Sequence, residues 1–242
     1  MSASPTISVI IPTLNEADEL PDTLRHAQAL DGLHEIIVVD AGSTDGTPDL
    51  ARAAGCHLIH SQPNRGLQQR LGAQHATGGL ILFLHADTWI PHGAGETIRQ
   101  ILAKPNIVAG AFQKRFRDRG ALPGSSIRCW LLWKWFNKFF GDQAIFVKRH
   151  ALEQAGGMPA VPLMEEYELC KVLEPHGRLE LAHKSVAATA RKFRNEGTFQ
   201  TYYRMASCHA LLLLGTSPHQ LKNFYYSDKT DIHDSQDGKI YP

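Results

Sequence analysis

The chain has 242 residues, a net charge of +1 and 43% hydrophobic residues, enough to bury the core of one large α/β domain. Near-neutral charge gives no sign of a nucleic-acid or strongly acidic partner. The four cysteines, Cys56, Cys129, Cys170 and Cys208, lie far apart without a C-x-x-C pair, which argues against a disulfide framework or zinc site and for buried thiols in a reducing compartment.

The first half alternates regularly. Residues 6–12, "TISVIIP", form a β-branched strand, and 15–30 carry Leu20, Leu24, Ala27 and Leu30 at helical spacing. A second apolar strand over 34–40 precedes a helix start at Ser43 that runs to Gly55. A strand over 56–61, a helix over 66–79, a strand over 80–87, a helix over 93–104 and a strand over 106–116 continue the alternation. Strands apolar on both faces and separated by helices predict an α/β fold, a mostly parallel Rossmann-like sheet with helices on both faces. The second half is less regular. It holds an aromatic segment at 129–140, a turn and strand over 141–149, an acid-led helix over 162–173, strand material over 178–193, a long helix over 197–215 and a polar tail over 226–242. The first residues, "MSASPT", lack the features of a signal peptide, and no apolar run approaches the ~20 residues of a membrane span. A cytoplasmic location is expected, with membrane contact still open.

In parallel sheets ligands bind beyond the carboxyl ends of strands. Three polar clusters follow strands here: Thr13-Leu14-Asn15-Glu16, Asp40-Ala41-Gly42-Ser43 and His85-Ala86-Asp87. In "EIIVVDAGSTDGT" (35–47) the strand delivers Asp40, glycines permit a close turn, and a helix begins with unpaired N–H groups. That arrangement suits a nucleotide, although an ordinary βα turn capped by Ser43 would read the same way. Neither G-x-G-x-x-G after the first strand nor G-x-x-x-x-G-K-[ST] anywhere occurs, so dinucleotide oxidoreductases and P-loop enzymes are disfavoured.

"SVIIPTLNE", "EIIVVDAGSTDGT", "FLHADT" and "MEEYELCKVL" together resemble family 2 glycosyltransferases of the GT-A fold, over about residues 7–215. "LHADT", "GDQAIFV", "PLMEEYEL" and "ATARKF" also resemble a short bacterial subgroup named for arsenosugar biosynthesis. The resemblance implies one domain over 1–225, with a nucleotide-binding half (1–116) and a C-terminal acceptor lobe (117–225), ahead of the tail at 226–242. It implies that Pro12, Thr13, Asn15, Glu16, Asp40, Gly42, Arg65 and Ala86 bind the nucleotide sugar, with Ala41 where relatives often carry a second acid. It implies Asp87 as ligand of a divalent cation, Mn2+ or Mg2+, with His85 in place of the first acid of an Asp-x-Asp motif. A neutral imidazole there could bond a ribose hydroxyl or add a nitrogen ligand, which favours manganese.

Transfer from a nucleoside diphosphate sugar, a UDP-sugar by preference, to a hydroxyl acceptor with inversion requires a carboxylate base. The resemblance places it at Glu166, beside Glu165, although acids at a helix start also have a dipole rationale. Arg191, with Lys192 and Arg194, could bind the leaving diphosphate. Asp142 and Gln143 are candidates for hydroxyl recognition, and His183 is a weaker candidate ligand. The segment 129–140, with three tryptophans and two lysines, could lie on a membrane interface, pack on the core or shape the acceptor pocket. A sugar nucleotidyltransferase, or a sugar-nucleotide-binding protein without catalysis, are the alternatives.

Overall fold

The computed structural model describes residues 4–118, 124–139 and 143–226. In chain order they form β1 (Ile7–Thr13), α1 (Leu20–Gln28), β2 (Leu33–Asp40), α2 (Thr47–Ala53), β3 (His57–His60), α3 (Arg65–His75), β4 (Leu80–Phe83), β5 (Thr88–Trp89), α4 (Ala94–Leu102) and β6 (Ile107–Phe116). The second half follows with α5 (Ser125–Phe136), β7 (Ile145–Lys148), α6 (Arg149–Gln154), α7 (Glu165–Leu173), β8 (Arg178–Ala188), α8 (Arg191–Glu196), α9 (Thr198–Leu213) and α10 (Pro218–Tyr226).

The sheet has eight strands in the order β3-β2-β1-β4-β7-β6-β8-β5. The pairs β1–β2, β2–β3, β1–β4 and β6–β8 are parallel, whereas β7 is antiparallel to both β4 and β6. Two reversals at β7 restore the direction, so β6 and β8 point the same way as β1 to β4. Only β7 and the two-residue β5 run against them. The mostly parallel α/β expectation therefore holds, and the carboxyl ends of β1, β2, β4, β6 and β8 share one edge.

Alternate residues of the central strands fill two cores. Ile7, Val9 and Ile11 pack on one face with Ile36 and Val38, while Ile10 packs on the other with Ile37 and Val39. Phe112 and Phe146 meet edge to face at 5.4 Å across β6 and β7, worth about 1 kcal/mol beyond their burial. The C-terminal helices have much less: their cluster of buried residues is Leu163, Cys208 and Leu221.

The boundaries differ from expectation in several places, and β5 and α6 were not expected at all. The fourth strand stops at Phe83, because Leu84 N makes a last bond to Ile10 O and the chain then turns, with Thr88 N donating to His85 O. The strand expected over 178–193 ends at Ala188, where Asp118 captures Ala190 N at 2.6 Å and α8 begins. Residues 217–226, outside any expected helix, form α10 with its Ser217 cap. The expected tail lies outside the described residues beyond Tyr226.

Candidate active site

Two loops at the carboxyl edge are stitched together. β1 and β2 end in register, Thr13 beside Asp40. Asp40 is fully buried, and its carboxylate accepts from Thr13 Oγ1 at 3.0 Å, Gly42 N at 3.0 Å, Ser43 N at 2.9 Å and Ser43 Oγ. Burial pushes this carboxyl up, but the Ser43, Thr13 and Gly42 hydrogen bonds outweigh it and hold it below the usual range. Gly42 supplies the positive φ, +89°, that aims its N–H inward. Asn15, also left-handed, accepts from Thr44 N at 2.9 Å and donates its own N–H to Ser43 Oγ at 2.8 Å. Buried Gln68 ties the same ends from below, donating to Thr13 O and Val39 O.

A second group forms where the turn after β4 meets the start of α7. Glu165 and Glu166 are buried at the first two positions of that helix, behind Met164 in a left-handed conformation. Arg65, the first residue of α3, hydrogen-bonds Glu165 through Nε and places Nη2 3.8 Å from Glu166 Oε1. His85 Nε2 approaches the same Glu166 oxygen at 3.4 Å. Burial raises the Glu165 carboxyl above its usual range. Burial also pushes Glu166 up, but the Arg65 and His85 charges overcome it, so Glu166 is the more acidic of the two. Glu165 Oε2 and Glu166 Oε1 are buried with no hydrogen-bond donor among the described residues.

Arg191, just past β8, donates to Glu16 Oε2 at 2.7 Å and so joins the start of α8 to the first loop. Burial raises the Glu16 carboxyl, Arg191 opposes that, and Asp87 and Glu19 add to it. A cavity of about 440 Å³ opens between these elements, and Arg65, His85, Asp87, Glu166 and Arg191 all line it. Its far side, from β6, α8, α9 and α10, mixes the rings and thioether of Phe116, Phe193, Tyr225 and Met205 with polar side chains such as Lys192, Asn195 and Glu196. Lys114, buried near the end of β6 with its ammonium 5.0 Å from the Phe116 ring centre, adds a cation on that side.

Of the expected residues, Arg65, His85, Asp87, Glu166 and Arg191 thus converge on one cavity. Pro12, Thr13, Asn15, Glu16, Asp40 and Gly42 build the adjoining pair of loops. Asp40 differs from expectation in its immediate surroundings: its oxygens are occupied by donors of the chain itself. Ala86 is buried in the core with its carbonyl accepting from Thr23 Oγ1 at 2.7 Å, and it does not line the cavity. Gln143 is buried, donates to Phe112 O and does not line this cavity. His183 is exposed on β8 and does not line the cavity. Asp142 lies outside the described residues. Lys114, Phe116, Thr189 and Met205 were missed. For the first two a signal existed, since period-2 alternation puts Phe112, Lys114 and Phe116 on one face of β6.

Asp87, the expected metal ligand, lines the cavity and interacts electrostatically with Glu16. Ligand atoms of His85, Glu165 and Glu166 also lie within 4.8 Å of one another, but Arg65 already neutralises that acid pair. That group does not include Asp87, and the Glu16 and Glu19 carboxylates near Asp87 are likewise already paired, with Arg191 and Arg117.

The sequence model of glycosyl transferase family 2 matches residues 8–158. An undecaprenyl-phosphate 4-deoxy-4-formamido-L-arabinose transferase of Sodalis glossinidius is 31% identical over 124 residues, 46% of this chain and 38% of that protein. A PGL/p-HBAD biosynthesis glycosyltransferase of Mycobacterium tuberculosis is 41% identical over 93 residues, 35% of this chain and 36% of that protein. The chain thus spans well under half the length of these curated relatives. Among solved structures, a mannosyltransferase of Pyrobaculum calidifontis in complex with GDP-Man and Mn2+ superposes with a TM-score of 0.65 at 22% identity, covering 100% of this chain and 67% of the other. Glucosyl-3-phosphoglycerate synthase of Mycobacterium tuberculosis, solved with Mn2+, UDP and glucosyl-3-phosphoglycerate, gives a TM-score of 0.55 at 19% identity over 76% and 72% of the two chains. These likenesses show the GT-A-like fold.

Proposed function

The chain belongs to glycosyl transferase family 2, and we propose that it is a glycosyltransferase that moves a sugar from a nucleoside diphosphate sugar, a UDP-sugar by preference, to a hydroxyl acceptor with inversion. The observation that carries this reading is the convergence of Asp87, Glu166 and Arg191 on one cavity from three separate parts of the chain. The residues 1–116 are assigned to the donor and 117–225 to the acceptor. The motif set "LHADT", "GDQAIFV", "PLMEEYEL" and "ATARKF" supports placing the chain in the subgroup named for arsenosugar biosynthesis.

In this reading the Thr13–Glu16 and Asp40–Ser43 loops form the nucleoside rim, with Asp40 acting through the turn it organises. Glu166 is the base. Its depressed pKa keeps it ionised at neutral pH, and it lines the cavity in which the acceptor hydroxyl would lose its proton to it while attacking the anomeric carbon. Arg65 and His85 hold that carboxylate in place and in charge state. Arg191 contributes charge-assisted hydrogen bonds to the departing diphosphate. A divalent cation, Mn2+ or Mg2+, would be held by Asp87 with His85 beside it, and would supply charge stabilisation for the diphosphate.

The test is release of nucleoside diphosphate from a panel of nucleotide sugars, with the anomeric configuration of the first product read by proton NMR. Release that Glu166→Gln abolishes, with an inverted product, is the expected result. A retained configuration, or release of pyrophosphate from a nucleoside triphosphate and a sugar phosphate, contradicts it.

A further inference from the structure

The C-terminal lobe carries apolar surface that the active site does not use. Along α9, Phe199, Tyr203, Ala206, Ala210 and Leu213 recur every three or four residues, and all are exposed. That is one helical stripe, and it faces solvent. Phe199 and Leu214 are each 82% exposed. On α5, Ile127, Trp130, Leu131 and Trp135 form a similar stripe, with Trp135 79% exposed. The two helices are neighbours: Arg128 donates to Tyr202 Oη at 2.8 Å, and an apolar crevice lies between them, lined by Leu132 and Phe136 from one and Leu212 and Leu213 from the other.

Charge indicates what covers this surface. Across α5, α9 and α10 there is no Asp or Glu, whereas Arg128, Lys134 and Lys222 are present; Arg204 of α9 is turned inward and paired with Glu196. Apolar and aromatic side chains interleaved with cations, and with no acid, match an anionic lipid interface. Among the described residues no helix is long and apolar enough to cross a membrane, so the helices would lie on a bilayer. The surface is also continuous with the site, since His209 of α9 lines both the crevice and the catalytic cavity.

We propose that the exposed faces of α5 and α9 dock this protein on an anionic phospholipid bilayer, which sets the α9 side of its cavity at the membrane surface. The consequence that the acceptor is drawn from that surface rests on the transferase reading above; the docking itself does not.

The full chain would be sedimented with phosphatidylcholine vesicles, with and without phosphatidylglycerol, at low and high salt, alongside the double variant Trp135→Glu, Phe199→Glu. Both positions lie outside the site, so circular dichroism and nucleotide binding should be unchanged in the variant. The expected result is binding to the phosphatidylglycerol vesicles, weakened by salt and reduced about tenfold or more by the double variant. Absence of binding to those vesicles, or equal binding to both kinds, overturns the proposal. So does light scattering that shows a dimer of the native chain which the variant dissolves, because a second copy would then cover the surface. If instead nucleotide fails to bind the native chain while vesicles do, the donor reading falls and the docking stands.

Discussion

Arg191 Nη2 lies 2.7 Å from Glu16 Oε2, across 175 residues of sequence, and this pair ties the loop after β1 to the start of α8. The Glu16 carboxyl is raised by burial and by Asp87 and Glu19, with Arg191 as the opposing influence. A diphosphate arriving beside Arg191 would compete with Glu16 for the same guanidinium. Arg191→Ala should therefore weaken nucleoside diphosphate binding by about tenfold or more, the scale of a lost charge-assisted contact. Glu16→Gln should leave binding unchanged or tighten it. Calorimetric titration of both variants checks the pair.

Glu166→Gln keeps the shape of the base but removes its charge. Slow donor hydrolysis, in which water replaces the unknown acceptor, should fall about 10²–10⁴-fold. Nucleotide affinity should hold, and a parallel loss of affinity would show that Glu166 binds donor and is not the base.

The charge state of that base depends on Arg65. With Arg65 and His85 overcoming burial, Glu166 has a pKa below its ordinary 4.5, so the acid limb of the pH–rate profile should lie below that value. In Arg65→Gln burial prevails, the pKa rises, and the limb moves to higher pH. The same variant leaves buried Glu165 without its partner, and its unfolding free energy should drop by about 3 kcal/mol.

The fold's first loop offers a stability test. Asp40→Ala removes the acceptor of four donors and should cost about 2–4 kcal/mol in denaturant unfolding. Because the folded pKa is depressed, this stabilisation is complete above the unfolded pKa and is lost as pH falls through the folded value. The gap between native and variant should therefore narrow at acid pH.

Gly66 bears on the site from a distance. A Cβ there would stand 2.5 Å from both Pro159 O and Val161 O, in the segment that leads into α7. Gly66→Ala should push that segment and shift Glu165 and Glu166 from Arg65. The expected outcome is lower activity with a small loss of nucleotide binding, measured side by side.

How much of this was legible in the sequence follows from the range of the forces involved. β1, β2 and β4 announce themselves as short fully apolar runs, because a strand covered on both faces needs no polar side. The polar clusters that follow them were readable for the same reason. β5 was not, since two residues, Thr88 and Trp89, are a strand only by pairing with Ala187 and Ala188 of β8. The start of α8 was hidden likewise, because its cap comes from Asp118, 72 residues away. α10 could have been found: Ser217-Pro218-His219-Gln220 is a capping box with proline at the first helical position, and Ser217 N does donate to Gln220 Oε1. In the site, the motif residues Asp87, Glu166 and Arg191 could be named in advance, but that Asp40 turns inward and that Lys114 reaches the cavity depend on packing between distant segments.

The most direct test of the site is titration of UDP, GDP, CDP and dTDP into the native chain and Asp87→Ala, each with and without Mn2+. The account predicts that one nucleotide, UDP by preference, binds more tightly with Mn2+ and that Asp87→Ala removes the increment. Failure of all four to bind the folded protein, or an increment that survives in Asp87→Ala, would contradict it.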